Sequence, residues 1–327
     1  MLNDIQKIIK LENYLKVMDV IAKRPNPSRS DITDTTGISL MTVGKISNTL
    51  RENKIIVTDV IESNQRGRKA KSARISEEKY LSIFNMSSSP ESFCKLRLST
   101  LYKGKVSDFS NVKKPEGTSI KSFISANLSR IDSENCIGIG IVTSPDSQVS
   151  FDSFADQLME AFPGVPVAVV PRNQAICTLN LADESYDHKD TVLYISLEKN
   201  RISGWFYPAN SVSVENRKKY IPLEALSTRS LKSLGSVMEA AEDPARLLHD
   251  IAECVYSCIA ITSPQRVMLD TDDTYPEDFA EKLSSEISTY VAPFAALPHF
   301  SKALLGKNNH LIGTGIILRE LYIETLL

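Results

Sequence analysis

The chain has 327 residues, a length that favours two or three domains over one compact core. Hydrophobic residues make up 42% and charged residues 24% of it, which excludes a disordered, collagen-like or coiled-coil chain. No apolar run approaches the ~18 residues of a membrane span, and the first residues lack a signal pattern. We therefore expect a cytosolic protein that does not contact a membrane, and the five scattered cysteines fit reduced thiols.

The net charge of −2 is unevenly divided along the chain. Residues 1–75 hold fourteen Lys and Arg against eight Asp and Glu, a net charge of +6, so the remainder carries −8. A basic front joined to an acidic body indicates a nucleic-acid-binding module attached to something else. The 13 glycines are few for a phosphate-handling enzyme, whose loops must approach phosphates closely.

Three helices are predicted in the basic front. Apolar residues at helical spacing predict a first helix that ends before Pro25. Ser28 and Asp31 resemble a capping box that starts a second helix, and Gly37 ends it in a tight turn. Ser39 caps a third helix with one apolar face. On the opposite face of this helix lie Met41, Gly44, Lys45 and Asn48.

Two helices joined by a glycine turn, with polar residues at the start of the second, are typical of proteins that read the major groove of DNA. Lys45 can reach guanine edges or phosphate, Asn48 can pair with adenine, and Gly44 permits close approach. The predicted DNA-contacting residues here are Ser39, Met41, Thr42, Gly44, Lys45 and Asn48. The alternative interpretation is a three-helix protein-interaction module.

Two strand-like segments, 55–61 and 71–75, follow the third helix and flank a basic turn that contains Arg66, Arg68 and Lys69. Three cations at a hairpin tip suit phosphate or minor-groove contact, so we add these residues to the predicted DNA-binding set. An exposed loop without function is the alternative. Together, the helices and the hairpin predict a winged helix-turn-helix domain.

Beyond residue 77, short apolar runs alternate with helical segments, a pattern typical of α/β layers with buried sheets. The predicted strands of a first group are 80–85, 94–101, 105–109, 137–142 and 165–170, and the first three form a meander. Those of a second group are 191–197 and 266–270. The body could therefore form two lobes.

Several segments together resemble one protein family. They are Ser28–Ile32, Thr36–Ser39, Thr42-Val43, Gly67–Lys69, Ile137–Ile141, Ser263–Leu269, Leu305-Gly306 and Leu311–Gly313. On these segments the chain resembles the ROK family of sugar-responsive repressors and sugar kinases. The resemblance implies an α/β fold with an N-terminal winged helix-turn-helix and an actin-like (ribonuclease H-like) two-lobed domain. It implies domains at 1–77, 78–185 and 186–307, with the final helix, 308–327, packing back on the first lobe.

Kinase motifs of the family are degenerate in this chain. The carboxylate of the family's Asp-x-Gly-Gly-Thr turn is replaced by Asn85, and the catalytic Asp of its Asn-Asp pair is replaced by Gln174. An amide cannot accept the proton of a sugar hydroxyl. At the second phosphate loop, Glu198 would repel a phosphate. We therefore expect no enzymatic activity and no nucleotide cofactor.

The resemblance also bears on ligands. Segment 210–226 contains neither Cys nor His, so the family's structural zinc is not expected, and no metal or other cofactor is predicted. Of the family's sugar contacts, Asn173 and Glu224 are retained, while the Glu-x-x-Gly-His segment is not. The candidate ligand-binding residues are thus Asn173, Gln174 and Glu224, for a sugar or sugar-phosphate effector.

The sequence therefore predicts a transcriptional regulator, expected to be a repressor, that binds a double-stranded DNA operator. We expect a homodimer, because helix-turn-helix proteins read two half-sites. The body would act as an inactive kinase-like domain for carbohydrate sensing. Two alternatives stay open: a divergent ROK-type sugar kinase, and a regulator controlled by a protein partner on its acidic body.

Overall fold

The computed structural model describes residues 2–60, 71–87, 91–101, 110–144, 150–182, 191–198, 201–207, 221–222, 244–271, 278–290, 297–302 and 308–327. The chain divides into two compact units: Met1–Thr178 with Asn308–Leu327, and Leu179–Lys307. The division into three domains stays a prediction. None of the helices in the described ranges combines the length and hydropathy needed to traverse a bilayer.

The helices are α1 (Leu2–Lys23), α2 (Arg29–Thr36), α3 (Leu40–Glu52), α4 (Leu98–Leu101), α5 (Ile120–Leu128), α6 (Asp152–Ala161), α7 (Arg172–Leu181), α8 (Pro244–Thr262), α9 (Phe279–Ser288) and α10 (Asn309–Thr325). The strands are β1 (Ile56–Val60), β2 (Lys71–Ile75), β3 (Tyr80–Met86), β4 (Ser92–Arg97), β5 (Ser110–Lys113), β6 (Cys136–Thr143), β7 (Val167–Pro171), β8 (Val192–Glu198), β9 (Arg201–Tyr207), β10 (Ile221–Pro222), β11 (Arg266–Thr271) and β12 (His299–Lys302).

Local capping signals place the first three helices. The Ser28 Oγ accepts a hydrogen bond from the Asp31 N–H at 3.2 Å, and the Ser28 N–H donates to Asp31 Oδ2 at 2.8 Å. Gly37 ends α2 with a φ of 71°, a left-handed conformation that glycine adopts without strain. The Ser39 Oγ accepts from the Thr42 N–H at 3.2 Å and starts α3. The predicted capping box, glycine turn and N-cap are confirmed.

The hairpin that follows α3 packs against these helices. Strands β1 and β2 are antiparallel, with Ile56 opposite Ile75. The Ala73 N–H also donates to the Pro27 carbonyl at 3.0 Å, which ties β2 to the segment before α2. The fully buried side chains of this part of the chain include Val17, Met18, Ile32, Val43, Leu50 and Ile55. Three helices and a hairpin therefore share one hydrophobic core.

A five-stranded mixed sheet forms the rest of the first unit, in the order β5-β4-β3-β6-β7. Strands β3, β4 and β5 are an antiparallel meander, while β6 and β7 run parallel to β3. The predicted strand 94–101 is wrong at its end, because β4 stops at Arg97 and Leu98–Leu101 is helical, with Leu98 and Leu101 both buried. The predicted strand 105–109 lies outside the described residues.

Glycines allow α10 to approach β6 and α7 closely. A Cβ at Gly140 of β6 would lie 2.8 Å from Thr314 Cγ2, and one at Gly138 would lie 3.0 Å from Leu318 Cβ. On α10 itself, a Cβ at Gly313 would lie 1.8 Å from the Ala175 carbonyl oxygen of α7. The helix therefore touches both neighbours where side chains are absent.

The second unit contains a sheet with the same strand pattern. Its order is β10-β9-β8-β11-β12, with β8, β9 and β10 antiparallel and with β11 parallel to both β8 and β12. Helices α8 and α9 bury their apolar faces in its core, which includes Leu193, Ile195, Ala252, Val255, Leu269 and Leu283. Each sheet thus places its strands in the order third, second, first, fourth, fifth, and the fold is a mixed α/β arrangement that occurs twice.

Replacement of Gly313 by Ala should destabilise the first unit by about 3 kcal/mol or more, because the added methyl group would overlap the Ala175 backbone. The matched control is Gly44→Ala in α3, where a Cβ would meet its nearest atom at an ordinary 3.5 Å. This control should gain about 0.5–1 kcal/mol from helix propensity. Urea unfolding of both variants measures the difference, and equal stability would contradict the packing described for α10.

Candidate functional site

One face of α3 is open to solvent and carries no acidic residue in its first turn. Met41 is 73% exposed and Leu40 is 57% exposed. Lys45 is also exposed, whereas Thr42 and Asn48 are half-buried. The surface therefore offers apolar groups, one cation and an amide, which are the groups that contact thymine methyls, guanine and phosphates in a DNA groove.

Gly44 is the exception to the predicted arrangement of this face. It was expected beside Met41 and Lys45, but it is buried, because the guanidinium of Arg29 lies over it. The Arg29 Nη2 goes on to donate to Asn48 Oδ1 at 2.8 Å. Arg29 thus holds the Asn48 amide in place from the neighbouring helix. The expectation that Gly44 lies on the exposed face of α3 is wrong, and its contact with DNA stays a prediction.

Further cations lie near Arg29. A small cleft between α2, α3 and the hairpin is lined in part by Pro27, Ile32, Ser47 and Ala73. Its remaining lining residues are Arg29, Asn48, Arg51, Thr58 and Lys71. We call these three cations and two polar residues the basic cleft. Arg29, Arg51 and Lys71 could not be predicted as site residues from the sequence, since only the packing of α2 and β2 against α3 brings them together. The predicted residues Arg66, Arg68 and Lys69 lie outside the described residues.

A second candidate site lies at the start of α7, where β7 runs directly into the helix. Asn173 is fully buried, and neither its Oδ1 nor its Nδ2 has a hydrogen-bond partner in the described part of the chain. Gln174 follows it and is half-buried. Glu224 lies outside the described residues. A buried amide without partners costs free energy, so the unused hydrogen-bonding atoms of Asn173 are unusual for a buried side chain.

His310, in the first turn of α10, was missed from the sequence. It is 7% exposed, and its Nε2 lacks a hydrogen-bond partner among the described residues. Burial, with a smaller contribution from the positive charge of Arg172, lowers the pKa of His310 from 6.5 to about 4. The ring is therefore neutral at pH 7. No other residue lies at a spacing from His310 that is typical of a metal or catalytic site, so the sequence did not indicate a role for it. The fold brings it near α7.

Asn85, at the end of β3, has a buried amide side chain. The Asn85 Oδ1 accepts hydrogen bonds from the Ser87 N–H at 3.2 Å and the Ser87 Oγ at 2.7 Å. The amide oxygen thus stabilises a local turn. Within the ranges that the structure covers, no group of three or more His, Cys, Asp or Glu is placed to hold a metal ion.

Comparison of sequences gives no relatives: no protein-family model and no curated protein matches this chain. Solved structures do match. A ROK family transcriptional regulator, a homologue of the E. coli MLC protein, is 14% identical and has a TM-score of 0.64 over 98% of both chains.

Two further structures match a smaller share of this chain. A ROK family protein from Streptococcus pneumoniae, solved with sucrose, is 13% identical over 75% of this chain and 99% of its own, with a TM-score of 0.50. A Listeria monocytogenes protein named as a candidate N-acetylmannosamine kinase is 11% identical over 74% of this chain and 99% of its own, with a TM-score of 0.52.

These likenesses define the fold. The doubled strand order places the chain among proteins with an actin-like α/β body. More particularly, its structural neighbours are ROK family proteins, both a transcriptional regulator and proteins of the sugar-kinase type. The resemblance predicted from the sequence motifs is confirmed at the level of the fold.

The depressed pKa of His310 predicts a pH dependence of stability. The unfolded chain binds this proton with a pKa near 6.5 and the folded chain near 4, so stability is fully present above pH 6.5 and falls as the pH drops towards 4. The loss should amount to about 3 kcal/mol. His310→Gln removes it, so chemical unfolding of the variant should show a flatter profile between pH 7 and pH 4. Parallel profiles would contradict the assignment.

Proposed function

We propose that the chain is a DNA-binding transcriptional regulator, expected to act as a repressor, in which α1–α3 and the β1–β2 hairpin form a winged helix-turn-helix domain. The observation that carries the proposal is the exposed face of α3, with Met41 and Lys45 open to solvent and Asn48 held by Arg29. In this arrangement α3 enters the major groove and the basic cleft contacts the phosphate backbone.

The extent of the structural match supports this choice. The regulator matches 98% of this chain, whereas the other two structures match 74–75% while covering nearly all of their own length. The difference is about a quarter of the chain, comparable in size with the N-terminal helices and hairpin. The regulator therefore matches about a quarter of this chain that the other two structures do not match.

The α3 surface also fits the geometry of base recognition. With its Oδ1 occupied by Arg29, Asn48 keeps an Nδ2 that has no partner among the described residues and can donate to a base edge. Lys45 can donate to guanine or phosphate, and the thioether of Met41 can pack on a thymine methyl. A second copy of the chain would present the same helix to a second half-site, so we propose a homodimer.

In this proposal the body binds an effector and does not transfer phosphate. Asn85 and Gln174 carry amides where the resemblance to kinases requires carboxylates, and an amide can neither take up the hydroxyl proton nor supply the charge that holds a metal. Both amide atoms of Asn173 lack a partner among the described residues and are available to hydrogen-bond a sugar. An effector that prefers one conformation of the body would change operator affinity by shifting the population of that conformation.

Lys45→Ala should weaken binding to the specific operator by about 1–3 kcal/mol, with a smaller effect on random DNA, because a base contact is lost. Arg66→Ala and Arg68→Ala should instead weaken binding to all sequences and reduce the salt dependence by roughly one unit per phosphate contact. Fluorescence anisotropy on an operator selected from genomic fragments, at several salt concentrations, measures both effects.

Lys121→Ala, which removes an exposed cation from α5, is the matched control and should bind DNA like the wild type. Arg29→Ala should weaken binding to the specific operator, since Asn48 loses its support, and should also weaken binding to random DNA, since the basic cleft loses a cation. An equal loss on specific and random DNA in Lys45→Ala would remove this residue from base recognition. Failure of the wild-type chain to retain any genomic fragment at low salt would overturn the regulator proposal.

We expect no phosphoryl transfer from ATP to hexoses or N-acetylhexosamines, because the proton acceptor is absent at Gln174. The measurement is release of ADP with each sugar, alongside a competent sugar kinase as the positive control. Turnover that disappears in a Gln174→Ala variant would show that this chain is a divergent kinase.

A further inference from the structure

One hydrogen bond between helices fixes the orientation of the Asn48 side chain. The guanidinium of Arg29, at the start of α2, donates from Nη2 to Asn48 Oδ1 at 2.8 Å. A guanidinium has only donors, so it can bind the amide through the oxygen and not through the nitrogen. A flipped amide would place the Asn48 Nδ2 against the donors of Arg29. The oxygen of Asn48 is therefore directed at Arg29, while its Nδ2 has no hydrogen-bond partner among the described residues.

An amide held in this way offers a DNA base less than a free amide does. A free asparagine reads adenine with both of its polar atoms, because its oxygen accepts from the adenine N6 amino group while its nitrogen donates to N7. The oxygen of Asn48 already accepts from Arg29, so pairing with adenine would bring a second donor to the same oxygen. The free Nδ2 can only donate. The base edge that matches a donor is that of guanine, whose O6 and N7 are both acceptors.

The charges around Asn48 favour the same base. Arg29 and Arg51 line the basic cleft together with Asn48, and Lys45 lies three residues before Asn48 on the same helix. Within the described ranges, Arg29 makes no ion pair with a carboxylate, and its hydrogen bond to Asn48 is to a neutral amide. Positive charge at this surface repels the amino group of adenine and attracts the two acceptors of guanine.

We propose that Arg29 determines base specificity by restricting Asn48 to donation, so that Asn48 reads guanine and not adenine in each half-site of the operator. The inference rests on the proposed function, because it deepens the assignment of α3 as the helix that reads DNA. Arg29 acts on the base through Asn48 and is therefore a positioning residue. The pairing of Asn48 with adenine, which the residue type alone suggests, requires an oxygen that Arg29 has taken up.

Fluorescence anisotropy with operator duplexes tests the proposal on the full chain. Each position of a half-site selected from genomic fragments is replaced in turn by all four base pairs. The position read by Asn48 is the one at which Asn48→Ala removes the base preference of the wild type. There the wild type should bind guanine at least ~10-fold more tightly than adenine. A preference for any other base, or the lack of a position that responds to Asn48→Ala, would overturn the proposal.

Arg29→Met and Arg51→Met separate the orientation of Asn48 from the loss of charge. Each variant removes one cation from the basic cleft and keeps most of the length of the side chain. Arg29→Met releases the oxygen of Asn48, so the ratio of guanine to adenine affinity should fall at least ~10-fold. Arg51→Met should lower both affinities and leave their ratio unchanged, since no hydrogen bond joins it to Asn48 in the described part of the chain. An unchanged ratio in Arg29→Met, or equal changes in both variants, would contradict the role of Arg29.

Base analogues probe the same contact in the unmodified protein, which matters if Arg29→Met does not fold. In 7-deazaguanine a carbon replaces N7, so this analogue at the Asn48 position should weaken binding about fivefold. Inosine keeps O6 and N7 and lacks only the amino group in the minor groove, so it should bind like guanine. Equal affinity for guanine and 7-deazaguanine would count against the proposal.

The possible results distinguish this inference from the proposed function. Specific binding to an operator with a base other than guanine at the Asn48 position would reject the role of Arg29 and keep the regulator. Retention of no genomic fragment at low salt would reject both. Guanine at this position, with a ratio that depends on Arg29 and not on Arg51, would support both.

Discussion

The close approach of α10 to its neighbours is the constraint on which the first unit depends. A helix can lie this near a strand and another helix only where side chains are missing, and the chain supplies glycine at those points, at 138 and 140 on β6 and at 313 on α10. Their role is packing, since the nearest atoms belong to Thr314, Leu318 and Ala175. Helix α10 packs against a sheet whose central strand begins at residue 80, so its contacts with that strand join segments that are more than 200 residues apart in the sequence.

The features that were predicted most accurately from the sequence are those that depend on contacts between residues close together in the chain. Ser28, Gly37 and Ser39 act through hydrogen bonds and backbone angles within four residues, so the ends of α2 and α3 could be inferred without knowledge of the fold. The α/β layers with buried sheets were also predicted, because buried strands leave continuous apolar runs in the sequence. The predicted strand 94–101 failed at Leu98, since an apolar run does not distinguish a strand from a buried helical turn.

The candidate sites depend more on long-range packing, and there the sequence was less informative. Arg29 reaches Asn48 across 19 residues, and His310 approaches α7 from the other end of the chain. Neither has a neighbour in sequence that would signal its role. Asn173 could be proposed only through resemblance to a family, and what the fold adds is the absence of partners for its amide among the described residues. Unused hydrogen-bonding capacity is a property of the packed molecule alone.

Helix α10 also reaches the N-terminal helices, through the ion pair between Arg319 and Asp19 of α1 at 3.3 Å. Residues 310 and 319 are about 13 Å apart along the axis of a single helix with a rise of about 1.5 Å per residue. A stiff rod of this length has no joint at which a displacement of one end could be absorbed before it reaches the other. A change in the orientation of α10 near His310 would therefore also displace the end of the helix that pairs with α1, and the helix would pivot about its glycine contacts with β6.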